Sequence, residues 1–196
     1  MILTGSEIAA CVRRGEITIE PFNHDMLNPN SYNYRLGEQL YRVETSADGD
    51  RARRIPCPLV EGRWLLAKQQ LYLGHTLEVI GSTHYVTSLI GRSSMGRLGI
   101  FVQVSANIGH VGAIHRWTLE IVTAHDTYLY PQQRIGQISF WTVAGAQRQY
   151  SGWYGRHNEP MLSKGHVEMQ LQAGGERQQP QEPPEPLPRE ARRGRQ

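Results

Sequence analysis

A chain of 196 residues with 39% hydrophobic residues and a mean hydropathy of −0.50 is long enough for one domain with a buried core. It has no apolar run near the roughly 18 residues that span a bilayer, which excludes a helical membrane protein. The formal net charge is only +3, and Arg189, Arg192, Arg193 and Arg195 crowd the C-terminal end, so nucleic acid is not an expected partner.

Cys11 and Cys57 lie far apart, in no metal-like spacing, and read as reduced thiols rather than a disulfide scaffold. Met1–Glu7 shows no basic region followed by an apolar stretch. A cytoplasmic protein with no membrane partner is expected.

Residues 4–14 read as a short helix. Thr4 is its N-cap, Glu7 stands three residues on as in a capping box, and Gly15 ends it. Ile8, Ala9, Cys11 and Val12 form its apolar stripe. Residues 45–62, with Asp48-Gly49-Asp50, Pro56 and Pro58, are expected to be loop. Short β-type runs follow at 64–67, 71–73, 84–90, 100–104, 117–123 and 135–142, rich in Val, Ile, Thr and aromatics. A helical turn at Ser93–Arg97 interrupts them. Such spacing argues for an all-β barrel or sandwich.

From about Ala173 the composition shifts. Pro180, Pro183, Pro184, Pro186 and Pro188 occur among Gln, Glu and Arg, with almost no large apolar residues. Such a segment cannot offset its ordering entropy. Residues 1–168 are therefore expected to form the domain and 169–196 a disordered Pro/Gln/Arg-rich tail, passive or a ligand for a partner that reads proline.

The densest chemistry lies at Gly91-Arg92-Ser93-Ser94-Met95-Gly96-Arg97-Leu98-Gly99. Two guanidinium groups suit phosphate oxygens, and glycines let backbone approach a ligand. Composition alone also allows a polar turn between strands. Downstream, Glu120 interrupts the apolar run Trp117–Val122. A carboxylate there is either buried and paired or on a solvated strand face. One possible pairing is with Arg97, for stability alone.

Gly-Arg-Ser-Ser-x-x-Arg-Leu-Gly at 91–99, Ser105-Ala106 and Leu119-Glu120 together resemble the dCTP deaminase family, a branch of the dUTPase superfamily. Asn28-Pro29-Asn30-Ser31-Tyr32-Asn33-Tyr34-Arg35-Leu36-Gly37 and Ile135-Gly136-Gln137 extend the resemblance over about residues 1–165. It implies a mainly β fold, a dUTPase-like distorted β-barrel or jelly roll with a short N-terminal helix. It also implies a homotrimer with sites between subunits, and a pyrimidine nucleotide as substrate.

By the same resemblance Glu120 is the general base, taking a proton from water and delivering it to N3 of cytosine. Ser93 and the Ala106 backbone hold the water, and Arg97 supports the developing charge. Arg92 and Ser94 contact phosphates, while His110, Thr118, Tyr150 and Trp153 complete the substrate contacts. No cofactor is implied for the chemistry, and Mg²⁺ only as a companion of the triphosphate.

Zinc deaminases combine His-x-Glu with Pro-Cys-x-x-Cys. Here His166-Val167-Glu168 supplies only the first half, and no Cys-x-x-Cys exists, so no metal site is assigned. His75, His84, His125 and His157 stand singly and read as surface or structural residues.

The chain departs from the family pattern in three places. His110 stands where an Asp usually holds the sugar 3′-hydroxyl, and Ala113 where an aromatic crowds out a 2′-hydroxyl. Gln149 and Trp153 replace a Lys and a Gln around Tyr150, leaving Arg156 or Lys164 to supply the phosphate cation. A deaminating core with retuned sugar and phosphate pockets is the expectation. The alternatives are dUTPase-type pyrophosphate release and a non-catalytic nucleotide-binding trimer.

Overall fold

The computed structural model describes residues 1–46, 52–102 and 106–164. One compact unit runs Met1–Leu162. The expected domain end at 168 and the tail from 169 lie outside the described residues, as does Asp48-Gly49-Asp50.

Helix α1 (Gly5–Arg14) starts where the Thr4 hydroxyl accepts from the Glu7 N–H at 3.4 Å, and it ends at Gly15 in the left-handed conformation. Only half of the expected capping box forms. The Glu7 carboxylate turns to Arg14, at 2.9 Å, instead of back to the cap. Ile8, Ala9 and Cys11 are buried, and Val12 packs at the core edge.

The chain continues as β1 (Ile17–Glu20), β2 (Leu27–Asn28), β3 (Ser31–Arg35), β4 (Tyr41–Thr45), β5 (Ala52–Pro56), β6 (Trp64–Leu66), β7 (Leu71–His75), β8 (Val79–Ser82) and β9 (Val86–Gly91). Then come α2 (Ser93–Arg97), β10 (Ile100–Val102), β11 (Ile108–Gly109), β12 (Ile114–His115), β13 (Thr118–Thr123), β14 (Thr127–Leu129) and β15 (Arg134–Trp141). Among the described residues the strands form two five-stranded sheets, ordered β10-β13-β7-β4-β5 and β11-β9-β15-β3-β2. Smaller sheets, β1-β8-β12 and β14-β6, complete the architecture. The mainly β expectation holds, and each long β-type run contains a strand.

Both large sheets contribute to one buried cluster. Tyr32, Tyr34, Leu89, Ile138 and Phe140 come from one, and Tyr72, Ile100, Leu119 and Ile121 from the other. Along β13 burial alternates, so Leu119, Ile121 and Thr123 face the core. Thr118, Glu120 and Val122 share the opposite, half-buried face.

Two departures from the sequence expectation have physical reasons. Residues 52–56 are strand, not loop. β5 pairs with β4 so that Arg53 opposes Glu44, with Nη2–Oε2 at 2.6 Å, and cross-strand charge complementarity supports the pair. Pro56 sits at the last position of this edge strand, where its missing N–H removes nothing the sheet needs.

Strand β3 is hidden in sequence because Tyr32, Asn33 and Tyr34 are all buried, which erases the two-residue period. Asn33 is satisfied by donating to Met26 O at 3.2 Å and Asn28 Oδ1 at 3.0 Å. Asn28 in turn donates to Ser31 Oγ at 3.0 Å, and Ser31 to Gln137 Oε1 at 3.1 Å. The 28–37 and 135–137 motifs thus lock β2, β3 and β15 in register.

Candidate functional site

A cavity of about 290 Å³ opens between the loop-and-strand stretch 106–118 and the segment 150–161. Of the expected site residues, Ala106, His110, Thr118 and Tyr150 line it. Its floor depends on a close backbone approach. A Cβ on Gly81 would lie 2.1 Å from Ala113 O and 2.7 Å from Ile114 Cα, so β8 and β12 meet only because residue 81 has none. That contact fixes Ala113, which is buried on the cavity wall.

Trp117, another lining residue, is held by its own network. Its N–H donates to Thr76 Oγ1 at 2.9 Å, its indole N–H to Ile80 O at 2.9 Å, and Thr76 N to Trp117 O at 2.9 Å. The Thr76 hydroxyl donates to the Glu78 carbonyl at 2.7 Å. The fully buried Glu78 side chain pairs with Arg35, with Nε–Oε1 at 2.7 Å.

Segment 150–161 forms the other wall. Tyr150 N donates to Val111 O at 2.7 Å, Met161 N to Thr118 Oγ1 at 3.1 Å, and Arg116 N to Asn158 Oδ1 at 2.8 Å. The Tyr150 ring stacks on His110 with centroids 5.2 Å apart. Trp153 does not line the cavity; its ring lies 4.0 Å from His157 and 5.1 Å from Tyr154, which do.

Glu120 stands two residues beyond Thr118 on the same strand face, about 7 Å along, and is half-buried outside the cavity lining. The 91–99 motif lies elsewhere. Ser93, Ser94 and Arg97 are exposed on α2, Arg92 is its half-buried N-cap, and buried Met95 anchors the turn. No hydrogen bond or ion pair joins the side chains of Arg92, Ser93, Ser94 or Arg97 to another described residue. The stability-only Arg97–Glu120 pair is therefore not formed within the chain.

The motif's glycines are less a cradle than its composition suggests. A Cβ on Gly96 would meet nothing within 4 Å, and on Gly91 only ordinary contacts from 3.7 Å. Gly99, at φ 71°, is the position whose left-handed backbone requires glycine.

Sequence reading missed Ile108, His115, Trp117, Tyr154, Gly155, His157 and Met161 as lining residues. The clustering of His and aromatics at 108–118 and 150–157 was the available signal. Among the described residues, no three His, Cys, Asp or Glu side chains gather at metal-binding range. No helix among them is long and apolar enough to cross a membrane.

His115 and His75 are buried, and burial pushes both rings below the usual 6.5, against backbone hydrogen bonds that act the other way. Above that value both folded and unfolded chains hold neutral rings. Below it the unfolded chain binds protons first, so stability falls as pH drops from 6.5 toward the folded values. Thermal melts should show Tm declining between pH 7 and pH 5, with a flatter slope for His75→Gln. The carboxylates of Glu7 and Glu44 are held below the usual range by Arg14 and Arg53, and that of Glu16 is held near 2 by Arg14, so these groups leave this window undisturbed. A Tm independent of pH across it would contradict the assignment.

Comparison with known proteins first defines the fold. The chain superposes on the crystal structure of a 2′-deoxycytidine 5′-triphosphate deaminase from Agrobacterium tumefaciens with a TM-score of 0.57 at 23% identity, covering 71% of this chain and 47% of that one. This chain thus spans about half the length of that solved chain.

Residues 2–143 match the family model described as dCTP deaminase-like. A dCTP deaminase, dUMP-forming, from Cytophaga hutchinsonii is 41% identical over 81% of this chain and 92% of its own length. A dCTP deaminase from Rhodopirellula baltica is 36% identical over 86% of each chain. The chain belongs to the dCTP deaminase-like family.

Proposed function

We propose that the protein deaminates the cytosine ring of a deoxycytidine nucleotide, dCTP, by hydrolysis and without a metal at the reacting carbon. The observation that carries the reading is the position of Glu120. It shares a strand face with cavity-lining Thr118, two residues away on β13.

In this reading Glu120 takes a proton from water and passes it to N3, while the water oxygen adds to C4. The proton of the new C4 hydroxyl then passes to the exocyclic amine, the C4–N bond breaks, and ammonia leaves as the C4 carbonyl of the uracil ring forms. A carboxylate suits both proton transfers because it stands within reach of water and ring nitrogen in turn. Ser93 and the Ala106 backbone position the water, and Arg97 offsets the charge of the adduct.

Within one chain α2 and the cavity are separate, so Arg92, Ser93, Ser94 and Arg97 reach the ring and phosphates from a neighbouring copy in a homotrimer. Two facts support this arrangement. Those side chains lack partners among the described residues of the single chain, and Leu98 and Phe101 beside them are 57% and 46% exposed, an apolar surface for a second copy to cover. Mg²⁺ would accompany the triphosphate as its counter-ion and is assigned no role in the deamination itself.

A second step is favoured by the names of the relatives. Those from Cytophaga hutchinsonii and Leptospira biflexa are called dUMP-forming, which adds pyrophosphate release to deamination. The cavity wall also bears on the sugar. His110 and Ala113 leave ribose less opposed than an Asp and an aromatic would.

The test is a panel of dCTP, CTP, dCMP, CMP and dUTP with ammonia and pyrophosphate read together. Ammonia from dCTP is expected, with CTP turned over within about tenfold of it. Equal pyrophosphate marks dUMP as product, and ammonia alone marks dUTP. Strong rejection of CTP removes the relaxed sugar pocket and leaves deamination standing. Pyrophosphate from dUTP without ammonia, or binding without turnover, replaces the reading with one of its alternatives.

A further inference from the structure

Among the described residues, one enclosed side-chain polar atom has no hydrogen-bond partner: Nε2 of His157. It belongs to a residue that lines the 290 Å³ cavity. Elsewhere the protein satisfies such atoms carefully, as the Asn28–Ser31–Asn33–Gln137 network shows. An enclosed imidazole nitrogen without a partner loses its water and gains nothing in return. The exception therefore calls for a missing partner, and the cavity is where one can sit.

The lining indicates which part of a ligand that partner is. No Lys or Arg is among the described lining residues. The wall instead combines aromatic rings (Trp117, Tyr150, Tyr154) with His110, His115 and apolar side chains. Among the described lining residues a phosphate meets no ammonium or guanidinium group, whereas an uncharged ring or sugar has flat surfaces and single hydrogen-bonding groups to meet. Trp153, its ring 4.0 Å from that of His157, restricts where the imidazole can turn. His115, next in the wall, already donates Nδ1–H to Arg116 O at 2.8 Å, so its ring is fixed while His157 keeps a free nitrogen.

We infer that His157 hydrogen-bonds the nucleoside moiety of the bound nucleotide through Nε2, making segment 150–161 a determinant of nucleoside affinity. The inference rests on the nucleotide reading above. It does not depend on deamination taking place.

The test uses the full chain and calorimetric binding of three probes: dCTP, deoxycytidine and inorganic tripolyphosphate. His157→Phe keeps the ring packed on Trp153 but removes both nitrogens; His157→Gln restores one donor and one acceptor. His157→Phe should weaken dCTP and deoxycytidine each by about tenfold, leave tripolyphosphate within twofold, and be largely rescued in His157→Gln. Parallel ammonia assays should show the loss in KM, with kcat within about threefold of wild type.

Unchanged binding in His157→Phe overturns the inference. So does a loss shared equally by tripolyphosphate, or one that His157→Gln fails to rescue, since either marks a structural role. Wild-type protein that binds neither dCTP nor deoxycytidine overturns it too. Normal binding contrasts with absent ammonia release only if the deamination reading alone is wrong.

Discussion

Glu120→Gln should lower ammonia release by about 10³-fold while leaving nucleotide binding within a few-fold and the fold intact. The substitution keeps shape and hydrogen-bonding reach but cannot carry a proton from water to ring nitrogen. Because Glu120 is half-buried on the face opposite the core, its replacement by an isostere should shift Tm by no more than about 3 °C. Ammonia release in a discontinuous assay, set beside calorimetric binding, separates lost chemistry from lost affinity. Turnover near wild type would remove Glu120 as the base and leave family membership unaffected.

Glu78→Ala should be the most destabilising single change considered, by about 3–5 kcal/mol. The Glu78 side chain is fully buried, and Arg35 is only 17% exposed. The carboxylate accepts from Arg35 Nε at 2.7 Å and from the Arg35 backbone N–H at 3.0 Å. Its removal strands an enclosed guanidinium and a backbone donor together. For a domain of this size the drop in Tm should be roughly 10 °C, read by calorimetry. A double replacement of Arg35 by Met and Glu78 by Leu should recover part of it, because an apolar pair leaves no charge unpaired. A shift below about 3 °C in the single variant would show that the pair is not structural.

This pair also links stability to the site. Glu78 and Thr76 belong to the turn that holds the Trp117 backbone, and Trp117 is part of the cavity wall. Partial loss of packing there should therefore weaken nucleoside binding before the domain unfolds.

Features written in local pattern are legible in the amino-acid sequence. Thr4 and Gly15 bound helix α1, the Val/Ile/Thr-rich runs hold strands, and α2 forms between two of them. These depend on neighbours a few residues away. Strand β3 is not legible, because a strand buried on both faces has no alternation, and its Asn33 is tolerated only through Asn28 and Met26. β5 escapes notice for a related reason: Pro56 is a breaker except at the end of an edge strand, and edge status is a property of the sheet.

The candidate site divides along the same line. Its proposed chemistry, a carboxylate at 120 and a serine–arginine motif at 91–99, is readable because residue type and short-range spacing are local properties of the chain. Its boundaries are not. His157 looks solitary in sequence and is a cavity residue, whereas Arg97 and Glu120, expected in one site, make no pair within the chain. Residue type and short-range spacing carry chemical capacity. Register, the β8–β12 contact at Gly81, and the closure of 150–161 over 106–118 arise from pairings between segments far apart in the chain, so only the folded protein decides which groups share a wall.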